Sequence, residues 1–156
     1  PTLVGHSMGT QVVVEAVARH PELSDTIVLI APTVNAGERR AHTQMLRMLQ
    51  DLAGESLRVL VVGAMQYLKT GPLWFLRKLR IMLDHDVEHT YPRVRARTLV
   101  LRGAHDRVCP RDWVRLVASL VPDAIMEEIP DRGHEAMIST PEPAATMIVE
   151  HALTRR

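Results

Sequence analysis

Cysteine is nearly absent: Cys109 stands alone, so no intrachain disulfide can form. That usage fits a reducing compartment, and a cytoplasmic location is the expectation. Between the turn at Asp106 and Pro110, Cys109 reads as a packed loop residue. Long apolar runs are missing as well, and with them any candidate for a membrane-spanning helix. An excess of one charge is also missing. Nineteen Lys and Arg against 18 Asp and Glu leave a net charge of +1, which removes the electrostatic basis for nucleic-acid binding. There is no internal repeat and no low-complexity stretch. What is present is 46% hydrophobic residues in a chain of 156, enough to build one domain around a core.

Gly5-His6-Ser7-Met8-Gly9 is a G-x-S-x-G pentapeptide. It lies between the apolar run Thr2-Leu3-Val4 and an amphipathic helix from Thr10 to His20 with Val13, Val14 and Val17 on one side. A serine at the apex of a strand-to-helix turn is a nucleophile elbow. So tight a turn predicts a positive φ at Ser7. It also predicts that a side chain at Gly5 or Gly9 would collide with the neighbouring strand or helix. The helix N-terminus offers backbone N–H groups where negative charge would develop.

A serine hydroxyl is a poor nucleophile at neutral pH, so it needs a base, and the base needs an orienting carboxylate. Thr98-Leu99-Val100-Leu101 is a β-branched strand that runs into Arg102-Gly103-Ala104-His105-Asp106, a turn presenting an acid. Ala124 to Ile129 is another strand, followed by Pro130 and then Gly133-His134. Thr26 to Ile30 is a strand closed by Ala31-Pro32. Pro110 opens a helix to about Val121. Thr140 is placed to cap the last helix, with Pro141 and Glu142 in its first turn. Strands alternating with helices indicate a parallel sheet covered by helices. The order Ser, Asp, His is the one used by α/β-hydrolases.

On Gly5-His6-Ser7-Met8-Gly9, Leu101-Arg102-Gly103-Ala104-His105-Asp106 and Gly133-His134, the chain resembles the C-terminal half of an α/β-hydrolase. The type is that of the capped esterases, lipases and C–C hydrolases. The resemblance implies an α/β fold: a mostly parallel half-sheet with flanking helices and a helical cap. Residues 1–32 and 94–156 would form the core and residues 33–93 the cap. It implies Ser7 as nucleophile, His134 as general base and acid, Asp106 as its orienter and the Met8 backbone N–H as an oxyanion donor. No metal and no organic cofactor are needed, and the partner is a small apolar ester. Members of the family carry further strands and a second oxyanion donor ahead of the elbow, whereas this chain opens on Pro1 inside a strand. The expectation is a fragment of a longer product to which the activity belongs.

The stretch between Thr33 and Arg93 reads as three amphipathic helices. Their stripes are Ala41, Met45, Met48, Leu49 and Leu52; then Leu57, Leu60, Val61, Ala64, Met65 and Leu68; then Phe75, Leu76, Leu79, Met82 and Leu83. The stripes serve either to pack the lid on the main domain or, at Met45, Met48, Met65, Trp74 and Phe75, to line an apolar pocket over Ser7. His6 is expected to pack beside that pocket or to border it.

Other groups compete for these roles. His85-Asp86-Val87-Glu88-His89 matches the H-x-x-E-H zinc signature, but Tyr91-Pro92 cuts any helix short and no third ligand stands out. It reads as a polar exit from the lid. His134 is preferred to His6 and His105 as base because its Gly-containing loop can reach the elbow. Asp106 is preferred to Asp131, Asp112 and Glu135 because it ends the strongest strand. Arg93, Arg95 and Arg97 read as a solvated strand entrance. Ester hydrolysis through an acyl-enzyme is the leading reading. C–C bond hydrolysis, acyl transfer, perhydrolysis, and a non-catalytic remnant or binding module stay open.

Overall fold

A computed structural model of the chain describes residues 1–52, 57–135 and 141–154. The elements are β1 (Thr2–His6), α1 (Met8–Arg19), β2 (Thr26–Ile30), α2 (Ala41–Leu52), α3 (Leu57–Thr70), α4 (Pro72–Asp84), β3 (Arg97–Gly103), α5 (Arg111–Leu120), β4 (Ala124–Ile129) and α6 (Glu142–Leu153). The strands form one parallel sheet in the order β1-β2-β3-β4. Val4, Val28, Leu99 and Ile125 make one row across it.

Helices pack α1 on β1 and β2, α5 on β3 and β4, and α6 on β2. That coverage explains the composition of the inner strands. A parallel strand covered on both faces is apolar throughout rather than alternating, and Ile27 to Ile30 and Leu99 to Leu101 are all buried. Val14 and Val17 of α1 and Trp113, Val114 and Val117 of α5 complete the core. In β4, an edge strand, exposed and half-buried residues alternate until Ile129. β1 pairs only with β2 among the described residues, and its Val4 is exposed.

The parallel arrangement puts the ends of all four strands on one side. Ser7 N–H donates to Ile30 O at 2.9 Å, Ala31 N–H to Leu101 O at 2.7 Å and Ala104 N–H to Ile129 O at 2.9 Å. These bonds carry the ladder one step past the strands and fix three loops side by side. Loops at the carboxyl ends of a parallel sheet are where such folds place their ligands.

Several boundaries differ from the sequence reading. β1 runs to His6 and α1 starts at Met8, so the turn between them is Ser7 alone. β3 extends from Arg97 to Gly103, beyond its apolar stretch, because the buried Arg102 has acceptors for its guanidinium. Pro141 occupies the cap position of α6 rather than its first turn. Thr140 lies outside the described residues, as do the side chains of Leu52, Leu57 and Leu60. Arg93 and Arg95 are exposed, while Arg97 belongs to β3 and donates to the His151 carbonyl.

Between β2 and β3, α4 packs against both α2 and α3. The stripes on these helices are only partly covered, since Leu49, Val61, Met65, Leu68 and Leu76 are exposed. At the base of this segment, Arg39 donates to the His85 carbonyl at 2.9 Å and pairs with Asp86 and Glu88. Gln11 of α1 donates to Met82 O at 3.1 Å, tying α4 to the sheet layer. Among the described residues, no helix is long and apolar enough to cross a membrane.

Candidate active site

Ser7 occupies the left-handed region at φ 51°, ψ −123°, as a one-residue turn demands. Its carbonyl accepts from Thr10 N–H at 3.0 Å and Thr10 Oγ1 at 2.6 Å, which starts α1 immediately behind it. Gly5 is required for this approach. A Cβ there would lie 2.7 Å from Gly9 O and 2.9 Å from Thr10 Cα. The same expectation fails for Gly9, where a Cβ would meet nothing within 4 Å. The crossing brings the strand at Gly5 against the backbone of Gly9, while the open side of Gly9 faces away.

The acid and histidine loops are pressed together in a similar way. A Cβ at Gly103 would overlap the carbonyl oxygens of Arg132 and Gly133. His105 N–H donates to Arg132 O at 2.8 Å across the same seam. Arg102, 5% exposed, braces the acid loop by donating to Cys109 O at 3.0 Å and Asp106 O at 2.9 Å, and it pairs with Glu128. The Asp106 side chain is fully buried. Its Oδ1 accepts from Cys109 N–H at 2.8 Å.

These loops bring Ser7, His134 and Asp106 into one hydrogen-bonded line. His134 Nε2 lies 3.0 Å from Ser7 Oγ, and His134 Nδ1 lies 3.0 Å from Asp106 Oδ2. Burial works to lower the pKa of His134. The hydrogen bond and charge of Asp106, aided by Glu135 and Asp51, outweigh it and hold the pKa above its ordinary value. An imidazole so placed accepts a proton from a hydroxyl on one side while its positive form is stabilised from the other.

His6 stands behind this line rather than in the cavity. Its Nε2 bonds to the His134 carbonyl at 3.0 Å, and the two rings are 5.2 Å apart. Burial, then the charge of His134, lower the His6 pKa, which favours a neutral ring donating to that carbonyl.

A cavity of about 260 Å³ opens over Ser7 and Met8. Met45, Met48, Trp74 and Phe75 line it, as does the α4 pair Leu79 and Met82. Met65 lies elsewhere: it is 52% exposed and is not among the lining residues, on a helix that packs against α4. Thr33, Gln44 and Val108 complete the wall with Lys78, whose ammonium sits 4.7 Å over the Trp74 ring.

The competing groups are dispersed. His85 faces Glu15, Glu88 pairs with Arg39, and His89 faces Asp86. Asp131 and Asp112 are exposed, and His105 sits 3.7 Å from Asp131 at the surface. Cys109 is fully buried with its thiol donating to Pro32 O at 3.1 Å, and burial pushes its pKa up, which makes it inert. The sequence places Arg102 and Gly103 in the acid turn without revealing their roles, and it gives no place in the site to Asp51, which accepts from the backbone of both site loops. Asp51 left one signal: an acid in the last turn of a helix opposes the dipole.

Comparison with known proteins agrees with this architecture. The sequence model of the alpha/beta hydrolase family matches residues 1–146. A pimeloyl-[acyl-carrier protein] methyl ester esterase of Chromobacterium violaceum is 23% identical over 98% of this chain and 70% of its own length. A putative non-heme bromoperoxidase of Mycobacterium tuberculosis is similar in structure, with a TM-score of 0.67 and 25% identity over 97% of this chain and 66% of that one. A 2-hydroxy-6-oxo-6-phenylhexa-2,4-dienoate hydrolase of a Rhodococcus species, 19% identical, has a TM-score of 0.70 over 97% of this chain and 63% of that one. The chain thus spans about two thirds of the length of these proteins. With the family match running across Ser7, Asp106 and His134, the chain belongs to the alpha/beta hydrolase family.

Proposed function

We propose that the protein is a serine hydrolase that cleaves a carboxylic ester with an apolar moiety through an acyl-enzyme. The observation that carries this reading is the line Ser7 Oγ–His134 Nε2–Asp106, 3.0 Å at each step, under an apolar cavity. Ser7 attacks the ester carbonyl as His134 takes the hydroxyl proton. Asp106 holds the ring and stabilises the imidazolium. The tetrahedral oxyanion is received by the Met8 N–H at the start of α1, where a helix's backbone N–H groups have no intrahelical acceptor. His134 then protonates the leaving alcohol, and later activates the water that releases the acid.

Residues 33–93 act as the cap, and residues 1–32 and 94–156 as the core that carries the three reacting side chains. The cavity supports a small acyl or alcohol group, since 260 Å³ falls just below the roughly 300–1,000 Å³ of pockets for drug-sized ligands. His6 serves the reaction by holding the His134 carbonyl.

The test is fluorophosphonate labelling of the protein and of Ser7→Ala, followed by turnover of a series of p-nitrophenyl esters. Labelling that disappears in Ser7→Ala, with a preference for short apolar acyl groups, is expected. No labelling of folded protein refutes the proposal. Release of product to an added alcohol or to peroxide, or cleavage of a β-diketone faster than of any ester, reassigns the reaction while keeping the nucleophile.

A further inference from the structure

Asp51 is a buried carboxylate at a place where neither the helix nor its apolar stripe calls for one. It sits in the last turn of α2, where the helix dipole disfavours an anion, and it is 5% exposed. A carboxylate taken out of water needs paired donors. Among the described residues, its donors come from the loops that carry the proposed acid and base. Oδ1 accepts from Arg107 N–H at 3.0 Å, and Oδ2 accepts from His134 N–H at 2.9 Å. Arg107 directly follows Asp106, and His134 is the base itself. Gln44, Met48 and Asp51 follow one another at spacings of four and three along one face of α2, and Gln44 and Met48 line the cavity. One helix therefore both walls the cavity and grips the backbone of the two loops beneath it.

Resting on the serine-hydrolase reading above, we infer that Asp51 is a positioning residue for that reaction. Its carboxylate clamps the main chain at His134 and Arg107 and so sets the reach of the imidazole between Asp106 and Ser7. Hydrogen bonds from backbone N–H groups to a charged acceptor are short and directional, which suits a clamp better than apolar packing does. The clamp also makes assembly of the site depend on the seating of α2. With α2 lifted, the His134 and Arg107 N–H groups lose this shared acceptor.

The charge of Asp51 acts on the ring as well as on the loop. The groups facing His134 are Asp106, Glu135 and Asp51, which favour the imidazolium, together with burial, which opposes it, and the neighbouring His6 ring.

Asp51→Asn tests the clamp with little change of shape. The amide keeps one acceptor oxygen and turns an NH2 toward the other backbone N–H. The reference is wild type, titrated with fluorophosphonate to count active sites. For Asp51→Asn, kcat per titrated site on p-nitrophenyl butyrate is expected to fall at least about tenfold, with KM within about twofold. The acidic limb of kcat/KM is expected to move down by about half a pH unit. Asp51→Ala, which removes both acceptors, should lose more. If titrated Asp51→Asn keeps the wild-type kcat and limb, the inference is overturned. A lower thermal midpoint alone overturns it too, because a merely structural contact would reduce the number of active sites and not the turnover of each. Wild type that fails to react with fluorophosphonate sinks the hydrolase reading itself, and the role of Asp51 with it.

Discussion

Asp106→Asn should disable the base without disturbing its position. Asp106 divides its two oxygens between partners of different kinds. Oδ1 accepts from Cys109 N–H at 2.8 Å, and Oδ2 faces His134 Nδ1 at 3.0 Å. The Cys109 N–H can only donate, so an asparagine must place its oxygen there and its NH2 toward Nδ1. The side chain is fully buried, so an orientation that leaves its amide mismatched carries the full desolvation penalty. Nδ1 then becomes an acceptor, and the ring proton moves to Nε2, which faces Ser7 Oγ at 3.0 Å. A ring protonated at Nε2 cannot take the serine proton. Loss of the correct tautomer in a triad of this kind lowers kcat by about 10⁴-fold, or about 5.4 kcal/mol of transition-state stabilisation. The residual activity should also titrate lower. The upward push on His134 against burial comes first from Asp106, and the variant removes that charge. The assay is ester turnover and fluorophosphonate inactivation across roughly pH 5–9, with urea unfolding as the control for folding. A folded variant within about tenfold of the wild-type kcat would refute the tautomer argument, because the geometry leaves the amide one orientation.

Glycine substitutions should separate the tight seam from the open turn. Gly103→Ala pushes a methyl into the Arg132 and Gly133 carbonyls and is expected to cost about 2–3 kcal/mol in urea unfolding. Gly9→Ala meets no atom and should be neutral or stabilising by about 0.4–1 kcal/mol. Tyr91 is fully buried, and its hydroxyl has no hydrogen-bond partner among the described residues, so Tyr91→Phe should leave stability unchanged or raise it by up to about 1 kcal/mol; a clear loss would reveal a partner. For wild type, the acidic limb of kcat/KM should lie above 6.5, because the folded His134 pKa is raised from that value. The same shift has a sign for stability. The contribution of the His134–Asp106 pair is full below the unfolded pKa and is lost as pH rises through the folded one. The stability gap between wild type and His134→Gln should therefore narrow as pH rises above 6.5 and through the raised folded pKa of His134 in thermal melts.

Much of the site was legible because it is written in local chemistry. A serine between glycines at a strand-to-helix junction has one geometry available, and Ser7 adopts it at φ 51°. Continuous runs of β-branched and leucine residues at 26–30 and 98–101 read as covered strands, and Ile27 to Ile30 and Thr98 to Leu101 are buried. The order of Ser7, Asp106 and His134 followed from the motifs at the strand ends. The sequence by itself thus pointed to the fold family, the succession of strands and helices along the chain, and the three side chains that the structure brings within hydrogen-bond distance. What it could not carry were contacts between distant segments that no spacing announces. The need for glycine at Gly103 arises from the Arg132 and Gly133 backbone some 30 positions away in the chain. Met65 and Met45 look alike on their helices, yet only Met45 lines the cavity, because helix packing and not periodicity decides which side faces in. Asp51 is the sharpest case. Read alone, it is an acid at the end of an amphipathic helix and belongs to solvent. Only the tertiary structure sets it under two backbone N–H groups from separate loops, because only folding creates donors that can hold a carboxylate away from water.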